Sequence, residues 1–102
     1  MAYDLGEIGE FLKPLIEYDF KDFEILLLVN CAKEKLSVND VMNEVEISHR
    51  SVLYRLKRLE SDGLIKRKKE GYFKIVEITK KGKNKLKEMR DFWIEVLKDI
   101  DL

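Results

Sequence analysis

The sequence is poor in residues that cross-link chains, break helices or bind metals. Its 102 residues include one cysteine, one proline, one histidine and no glutamine. A single Cys31 forms neither an intrachain disulfide nor a cysteine metal cluster, so we expect a reducing, intracellular setting. His49 has no second histidine or cysteine pair near it, so we predict no metal and no cofactor. With one proline and five glycines, the chain fits one compact domain without a flexible linker.

Long hydrophobic runs are also missing. The longest, Ile25 to Val29, is far shorter than the roughly 20 residues that span a membrane, so no membrane span is expected. Asp4, Glu7 and Glu10 stand where a signal peptide would need a basic start and an apolar run. We therefore expect a cytoplasmic protein. Fifteen lysines and the lack of glutamine give a composition typical of thermophile proteins.

The net charge is zero, but the charges are segregated along the chain. Residues 1–48 carry 4 basic and 11 acidic side chains, residues 49–85 carry 13 and 4, and residues 86–102 carry 3 and 5. A basic face acts on partners within a Debye length of roughly 8 to 10 Å, whatever the total charge. The basic segment points to nucleic acid or an acidic protein surface as the partner. The alternative is a solvated charged face.

Apolar periodicity and capping residues predict helices over 3–16, 19–33, 38–45, 48–61 and 80–100, and strands over 64–68 and 72–78. Ser37, Ser48 and Thr79 are the expected N-caps, and Gly63 is the expected helix stop. We expect Cys31 to be buried in the second helix. The order of elements is that of a winged helix-turn-helix, a mainly α fold with a small β-hairpin.

The helix over 48–61 carries the strongest functional signal. On a helical wheel, Val52, Leu53, Leu56 and Leu59 fall on one side and should face the core, while His49 lies near that side as a packing or capping residue. The opposite side is basic and hydroxyl-rich. Arginine can fork onto guanine, and hydroxyl groups can bond to phosphates or base edges. The predicted base-reading residues are Arg50, Ser51, Tyr54 and Arg55.

A second set of residues is predicted to contact the DNA backbone from the helix, from the hairpin or wing, and from the start of the last helix. Phe73 of the wing is expected to be a core residue of its strand. The predicted backbone contacts are Ser48, Lys57, Arg58, Lys66, Arg67, Lys68, Lys69, Lys74 and Lys81.

Three stretches resemble one protein family: ISHRSVLYRLKRLE at 47–60, GLIKR at 63–67 and ITKKG at 78–82. They are similar to the recognition helix and the wing entry and exit of MarR-like and PadR-like winged-helix transcription regulators, especially small archaeal members. The resemblance implies a homodimer that binds a pseudo-palindromic operator. It also places Arg50, Ser51, Tyr54, Arg55 and Arg58 where the family reads DNA. The wing is shorter than in most MarR-like proteins and carries Glu70 at its tip, which argues against deep insertion into the minor groove.

Apolar stripes on both terminal helices predict a two-fold dimer interface, because one small domain cannot easily cover both stripes. The expected organisation is an N-terminal dimerisation helix (1–17), a winged helix-turn-helix domain (18–80) and a C-terminal dimerisation helix (81–102). In the alternative, both stripes complete the core of the monomer. The predicted interface residues are Leu5, Ile8, Leu12, Leu86, Met89, Trp93, Val96 and Ile100.

The favoured function is therefore sequence-specific binding of double-stranded DNA by a homodimeric, nucleoid-associated transcription regulator. Two alternatives stay open: a winged helix that binds an acidic protein partner, and an architectural DNA binder that tolerates any sequence. Catalysis has little support, because one histidine and one cysteine leave only carboxylates on solvated helices. No catalytic residue is predicted.

Overall fold

The computed structural model describes residues 17–100. Within them the chain forms four helices and a three-stranded antiparallel sheet. The elements are α1 (Phe20–Cys31), β1 (Leu36–Ser37), α2 (Val38–Glu44), α3 (His49–Ser61), β2 (Ile65–Glu70), β3 (Phe73–Ile78) and α4 (Lys80–Asp99). This order confirms the predicted winged helix-turn-helix. The predicted N-terminal helix, with Leu5, Ile8 and Leu12, lies outside the described residues.

Side-chain caps fix the start of each helix. Ser37 and Asp40 form a capping box at α2, in which the serine hydroxyl and the aspartate carboxylate each accept a backbone N–H. The Ser48 and Thr79 hydroxyls accept the N–H groups of Ser51 and Gly82. All three predicted N-caps are thus confirmed. Asp19 caps α1 in a further capping box that the sequence analysis did not identify.

The sheet has the order β1-β3-β2, so the wing is anchored by a third strand. This strand, β1, is only two residues long and was not predicted, because so short a segment has no period of its own. The turn of the β2–β3 hairpin lies later in the chain than predicted. Lys69 and Glu70 continue β2, and the turn is Gly71–Tyr72. Gly71 has φ +60°, which suits the first central position of a two-residue hairpin turn.

One hydrophobic core joins the helices to the sheet. Its fully buried side chains are Ile25, Leu26, Val41, Val52, Leu56 and Leu59, with Leu64 and Ile65 almost fully buried at the base of the wing. Two predictions about core residues were wrong. Leu53 is 43% exposed, because the buried side of α3 is centred on Val52, Leu56 and Leu59. Cys31 is also exposed, because it follows Val29 by two residues and so falls away from the buried side of α1.

The first half of α4 belongs to the core of the monomer. Leu86 and Met89 lie in the hydrophobic core cluster, so these two residues of the predicted dimer interface are already covered by their own chain. Gly82 allows the close approach, since a Cβ at this position would lie 2.0 Å from the carbonyl oxygen of Leu64. The docking of α4 against the base of the wing therefore requires glycine at position 82.

Candidate nucleic-acid interface

The solvent-facing side of α3 carries four residues, which we call the exposed stripe: Arg50, Leu53, Tyr54 and Lys57. They follow one another at spacings of three, one and three residues, and so share one side of the helix. Tyr54 is 70% exposed. Within residues 17–100, the side chains of Arg50 and Lys57 have no hydrogen-bond or ion-pair partner. The exposed stripe is therefore cationic, free of acids and available to a ligand.

Ser48 and Ser51, at the start of α3, are already engaged inside the protein. The Ser48 hydroxyl is the N-cap, and the Ser51 hydroxyl accepts from Nε of Arg55 at 3.4 Å. The Ser51 side chain is half-buried beside the exposed stripe. His49 is exposed as the first residue of α3, so it does not pack in the core.

Arg55 points towards α1 instead of solvent. Its Nη1 donates to Oδ1 of Asp19 and, at 3.1 Å, to Oδ1 of Asp22. Burial raises the pKa of the Asp22 carboxyl, and hydrogen bonds from the Asp19 backbone and from Arg55 only partly oppose this rise. The pKa of Asp19 is lowered: burial opposes the shift, but the hydrogen bonds from Arg55 and from the Asp22 backbone outweigh it. The Arg55 guanidinium is thus part of a polar cluster between α1 and α3.

Arg58 extends the same cluster. Its guanidinium lies 4.9 Å from the centre of the Tyr18 ring and 3.7 Å from Oδ2 of Asp22, and it donates to the carbonyl oxygen of Glu17. The Tyr18 hydroxyl in turn donates to Asp62 at 2.6 Å. Burial and this hydrogen bond raise the pKa of Tyr18 above its ordinary range. We refer to Arg55 and Arg58 as the inner arginines.

The cations at the base of the wing are paired with acids. Arg67 bonds to both carboxylate oxygens of Glu60 on α3, and these hydrogen bonds lower the pKa of Glu60. Lys66 and Lys68 lie 3.4 and 3.1 Å from the carboxylate of Glu77, whose pKa they lower, with the Lys68 hydrogen bond as the main cause. These contacts hold the hairpin to itself and to α3.

The end of the wing is different. Lys69 and Lys74 face each other across the hairpin, and neither forms an ion pair within the described part of the chain. The carboxylate of Glu70 lies 2.7 Å from Nζ of Lys35, and this contact lowers the pKa of Glu70. Phe73 is 59% exposed, so the prediction of a core role was wrong. Phe73 is the first residue of β3, directly after the turn, and its partner across the hairpin is Glu70.

Lys81, at the start of α4, also has an internal partner. Its Nζ donates to the carbonyl oxygen of Asp62 at 2.8 Å, just after α3 ends. Among residues 17–100 there is no cluster of three or more metal-ligating side chains. In the same range, no helix has the length and apolar character needed to cross a bilayer.

A family model and several solved structures share this arrangement of helices and strands. Residues 21–66 match the family model described as winged helix-turn-helix DNA-binding. This stretch contains the whole of α3 and the start of the wing. A comparison with curated protein sequences gave no match.

Solved structures extend the likeness to almost the whole chain. The transcriptional regulator BldR of Sulfolobus solfataricus is 28% identical, with TM-score 0.69 over 94% of this chain and 75% of BldR. MarR of Escherichia coli is 16% identical, with TM-score 0.70 over 99% and 88%. MepR of Staphylococcus aureus, solved with DNA, is 19% identical, with TM-score 0.70 over 89% and 79%. The protein has the winged-helix fold of the MarR-family transcriptional regulators, which are not enzymes. The predicted likeness to MarR-like proteins is confirmed.

Proposed function

We propose that the protein is a homodimeric transcription regulator that binds double-stranded DNA in a sequence-specific manner, with α3 in the major groove. The exposed stripe is the observation that carries this proposal. It lies on the second helix of a helix-turn-helix, which is the helix that enters the groove in this motif. Its two cations have no internal partner, while nearby acids hold the inner arginines.

Arg50, Leu53 and Tyr54 form the proposed base-reading set. Arg50 lies in the first turn of α3 and can donate two hydrogen bonds to guanine. Leu53 offers an apolar contact for a thymine methyl group, a role hidden from sequence analysis because leucine on this helix was assigned to the core. Lys57, one turn further on, is placed for phosphate. We leave Arg55 out of this set because its guanidinium is bonded to Asp19 and Asp22.

Lys69 and Lys74 are the proposed backbone contacts of the wing. Like the exposed stripe, they carry charge that no described acid neutralises by ion pairing. Several other predicted backbone contacts have internal partners: Arg58, Lys66, Arg67, Lys68 and Lys81. We propose that these residues position α3 and the wing. They would contact phosphate only by exchanging their internal partners for it.

A homodimer is proposed from the apolar surface on α1 and the second half of α4. Leu97 is 62% exposed and lies on the same side of α4 as Trp93, and the exposed Ile100 follows directly after the helix. Phe20 of α1 continues this surface through an edge contact with Trp93, with ring centres 5.5 Å apart. Contiguous exposed apolar surface of this kind marks an interface. The dimerisation part of α4 then begins after Met89 and includes Val96, while residues 1–17 remain the other proposed part.

Sedimentation velocity at micromolar concentrations tests the dimer. We expect the wild-type chain to sediment as a dimer and Leu97→Glu as a folded monomer, because a charge would be buried in the interface. Glu95→Ala on the same helix is the control and should remain dimeric. A wild-type monomer would contradict the proposal. In a dimer, the two α3 helices would read half-sites about 34 to 36 Å apart.

Fluorescence anisotropy on labelled duplexes over a salt series tests DNA binding. We expect Arg50→Ala to reduce the preference for the favoured duplex, and Lys69→Ala to weaken all duplexes alike and flatten the salt dependence. If the protein is an architectural binder, the wild-type chain will bind all duplexes alike, and Arg50→Ala will have no sequence preference to reduce. Failure to bind any duplex at low salt would instead favour the acidic protein partner and refute the proposal.

A further inference from the structure

Two aromatic side chains at the end of the wing lie outside the hydrophobic core cluster. Tyr72 is 100% exposed and Phe73 is 59% exposed. Neither ring contacts another ring or a cation among residues 17–100. Turn positions favour glycine, asparagine and aspartate, so a tyrosine directly after Gly71 gains nothing from local conformation. We call Tyr72 and Phe73 the aromatic tip.

The charges around the aromatic tip indicate what covers it. Lys69 and Lys74 form the cross-strand pair next to the tip. Glu70, the acid in this region, is neutralised by Lys35 at 2.7 Å and approached by Lys68 at 3.5 Å. An apolar tip with a cationic base fits a polyanion that also offers apolar surface. Double-stranded DNA provides both, with phosphates along the groove edges and base faces between them.

The shape of the hairpin selects the groove. A two-residue turn is narrow enough for the minor groove, which is about 6 Å wide, whereas α3 needs the wider major groove. Apolar side chains that enter the minor groove wedge between neighbouring base pairs, unstack them and bend the duplex. Base-pair steps such as TA and CA are flexible and easily kinked or unstacked.

We propose that the aromatic tip is a wedge that enters the minor groove beside the α3 site, partly unstacks one base step and bends the DNA. This inference rests on the proposed function, because α3 must first place the wing on a duplex. The wedge adds a preference for a deformable step in the flank of the site, at a position that no hydrogen bond reads. Glu70 does not oppose the entry, because Lys35 and Lys68 hold its carboxylate.

The test compares the wild-type chain with the double variant Tyr72→Ala/Phe73→Ala on the duplex that the wild type binds most tightly. The probe is a 2-aminopurine base placed in turn at each TA or CA step of the flanks, since its fluorescence rises on unstacking. Loss of these side chains removes no core contact, so circular dichroism and the melting temperature should be unchanged. The variant Tyr72→Trp/Phe73→Tyr keeps two aromatic rings and serves as the matched control.

With wild type and the aromatic control, we expect the fluorescence at one flanking step to rise, and energy transfer between the two ends of the duplex to increase because the duplex is bent. The alanine variant should lose both signals and bind about tenfold more weakly. Wild-type binding without unstacking or bending would overturn the wedge and leave the proposed function intact. Wild-type failure to bind any duplex would overturn both. A change in the sedimentation of the free alanine variant would assign the tip to protein association and overturn the wedge.

Discussion

The two sides of α3 treat positive charge in opposite ways. On the exposed stripe, Arg50 and Lys57 have no partner in the described part of the chain. On the side that faces α1, the inner arginines bond to Asp19, Asp22 and the Glu17 carbonyl group. Only some of the cations on this helix are therefore available to a ligand. The acids of α1 restrict the free charge to one stripe.

The comparison also separates two physical roles. A guanidinium bonded to a buried carboxylate stabilises the fold, because removing one partner leaves the other desolvated and unpaired. A solvated guanidinium contributes almost nothing to stability and keeps its interaction energy for a ligand. Substitutions on the two sides of α3 should therefore have effects of different kinds.

The largest effect is expected for Arg55→Ala. It leaves the Asp22 carboxyl, only 1% exposed, without its closest cation. We expect a loss of about 3 kcal/mol in the free energy of unfolding, measured in urea. Lys57→Ala on the exposed side is the control and should change it by less than about 0.5 kcal/mol. Equal losses in the two variants would contradict the difference in role between the two sides of α3.

Arg50→Ala is expected to act on binding alone. Loss of a forked contact to guanine should cost about 1 to 3 kcal/mol on the favoured duplex, with little loss on unrelated ones. The melting temperature should not change, because Arg50 has no internal contact. Arg50→Lys keeps the positive charge but lacks the paired donors of the guanidinium group. It should therefore bind DNA in general as wild type does, without the preference for the favoured duplex. A preference that survives in Arg50→Ala would exclude Arg50 from base reading.

Asp19→Asn should free positive charge on the side of α3 that faces α1, as on the exposed stripe. Asparagine remains a good N-cap, so α1 should stay formed, while Arg55 loses an ionic partner. If the freed charge reaches a phosphate, the logarithm of the association constant for DNA should fall more steeply with the logarithm of the salt concentration. The magnitude of this slope should increase by about 0.9. Affinity for all duplexes should rise alike. Asp99→Asn, far along α4, is the control; an equal gain there would show that net charge alone matters.

The smallest effect concerns Glu60, the acid of α3 that holds Arg67 of the wing. The hydrogen bonds from Arg67 keep its pKa below the ordinary value of 4.5 when folded. The unfolded chain therefore takes up the proton first as the pH falls, so this stabilisation is present above about pH 4.5 and is lost at lower pH. Between about pH 7 and pH 3.5, wild type should lose more stability than Glu60→Gln, by less than 1 kcal/mol. If wild type and Glu60→Gln lose equal stability at low pH, the Arg67–Glu60 contact contributes nothing to the free energy of unfolding.

Local signals in the sequence predicted most of the fold. Ser37, Ser48 and Thr79 are N-caps, and Gly63 has the expected positive φ of +78° at the end of α3. Such features depend on a few neighbouring residues. β1 was missed because its pairing with β3 is a long-range contact between Leu36 and Val76.

The candidate site was only partly predictable, because it depends on which partners the fold brings together. The helical wheel placed Arg50, Tyr54 and Lys57 on the outer side, and the structure agrees. The pairing of Arg55 with Asp19 joins residues far apart in the sequence, and no local pattern indicates it. Phe73 was predicted as a core residue of its strand, but it lies directly after the turn at the end of the wing and is mostly exposed.

The most direct test of the account is selection from a pool of randomised duplexes, carried out in parallel with wild type, Arg50→Ala and Arg55→Lys. We expect wild type and Arg55→Lys to enrich the same two-fold symmetric site, and Arg50→Ala to lose the preference at one base pair of each half-site. Enrichment of an identical site by Arg50→Ala, with the preference lost in Arg55→Lys, would contradict the assignment of DNA reading to the exposed stripe.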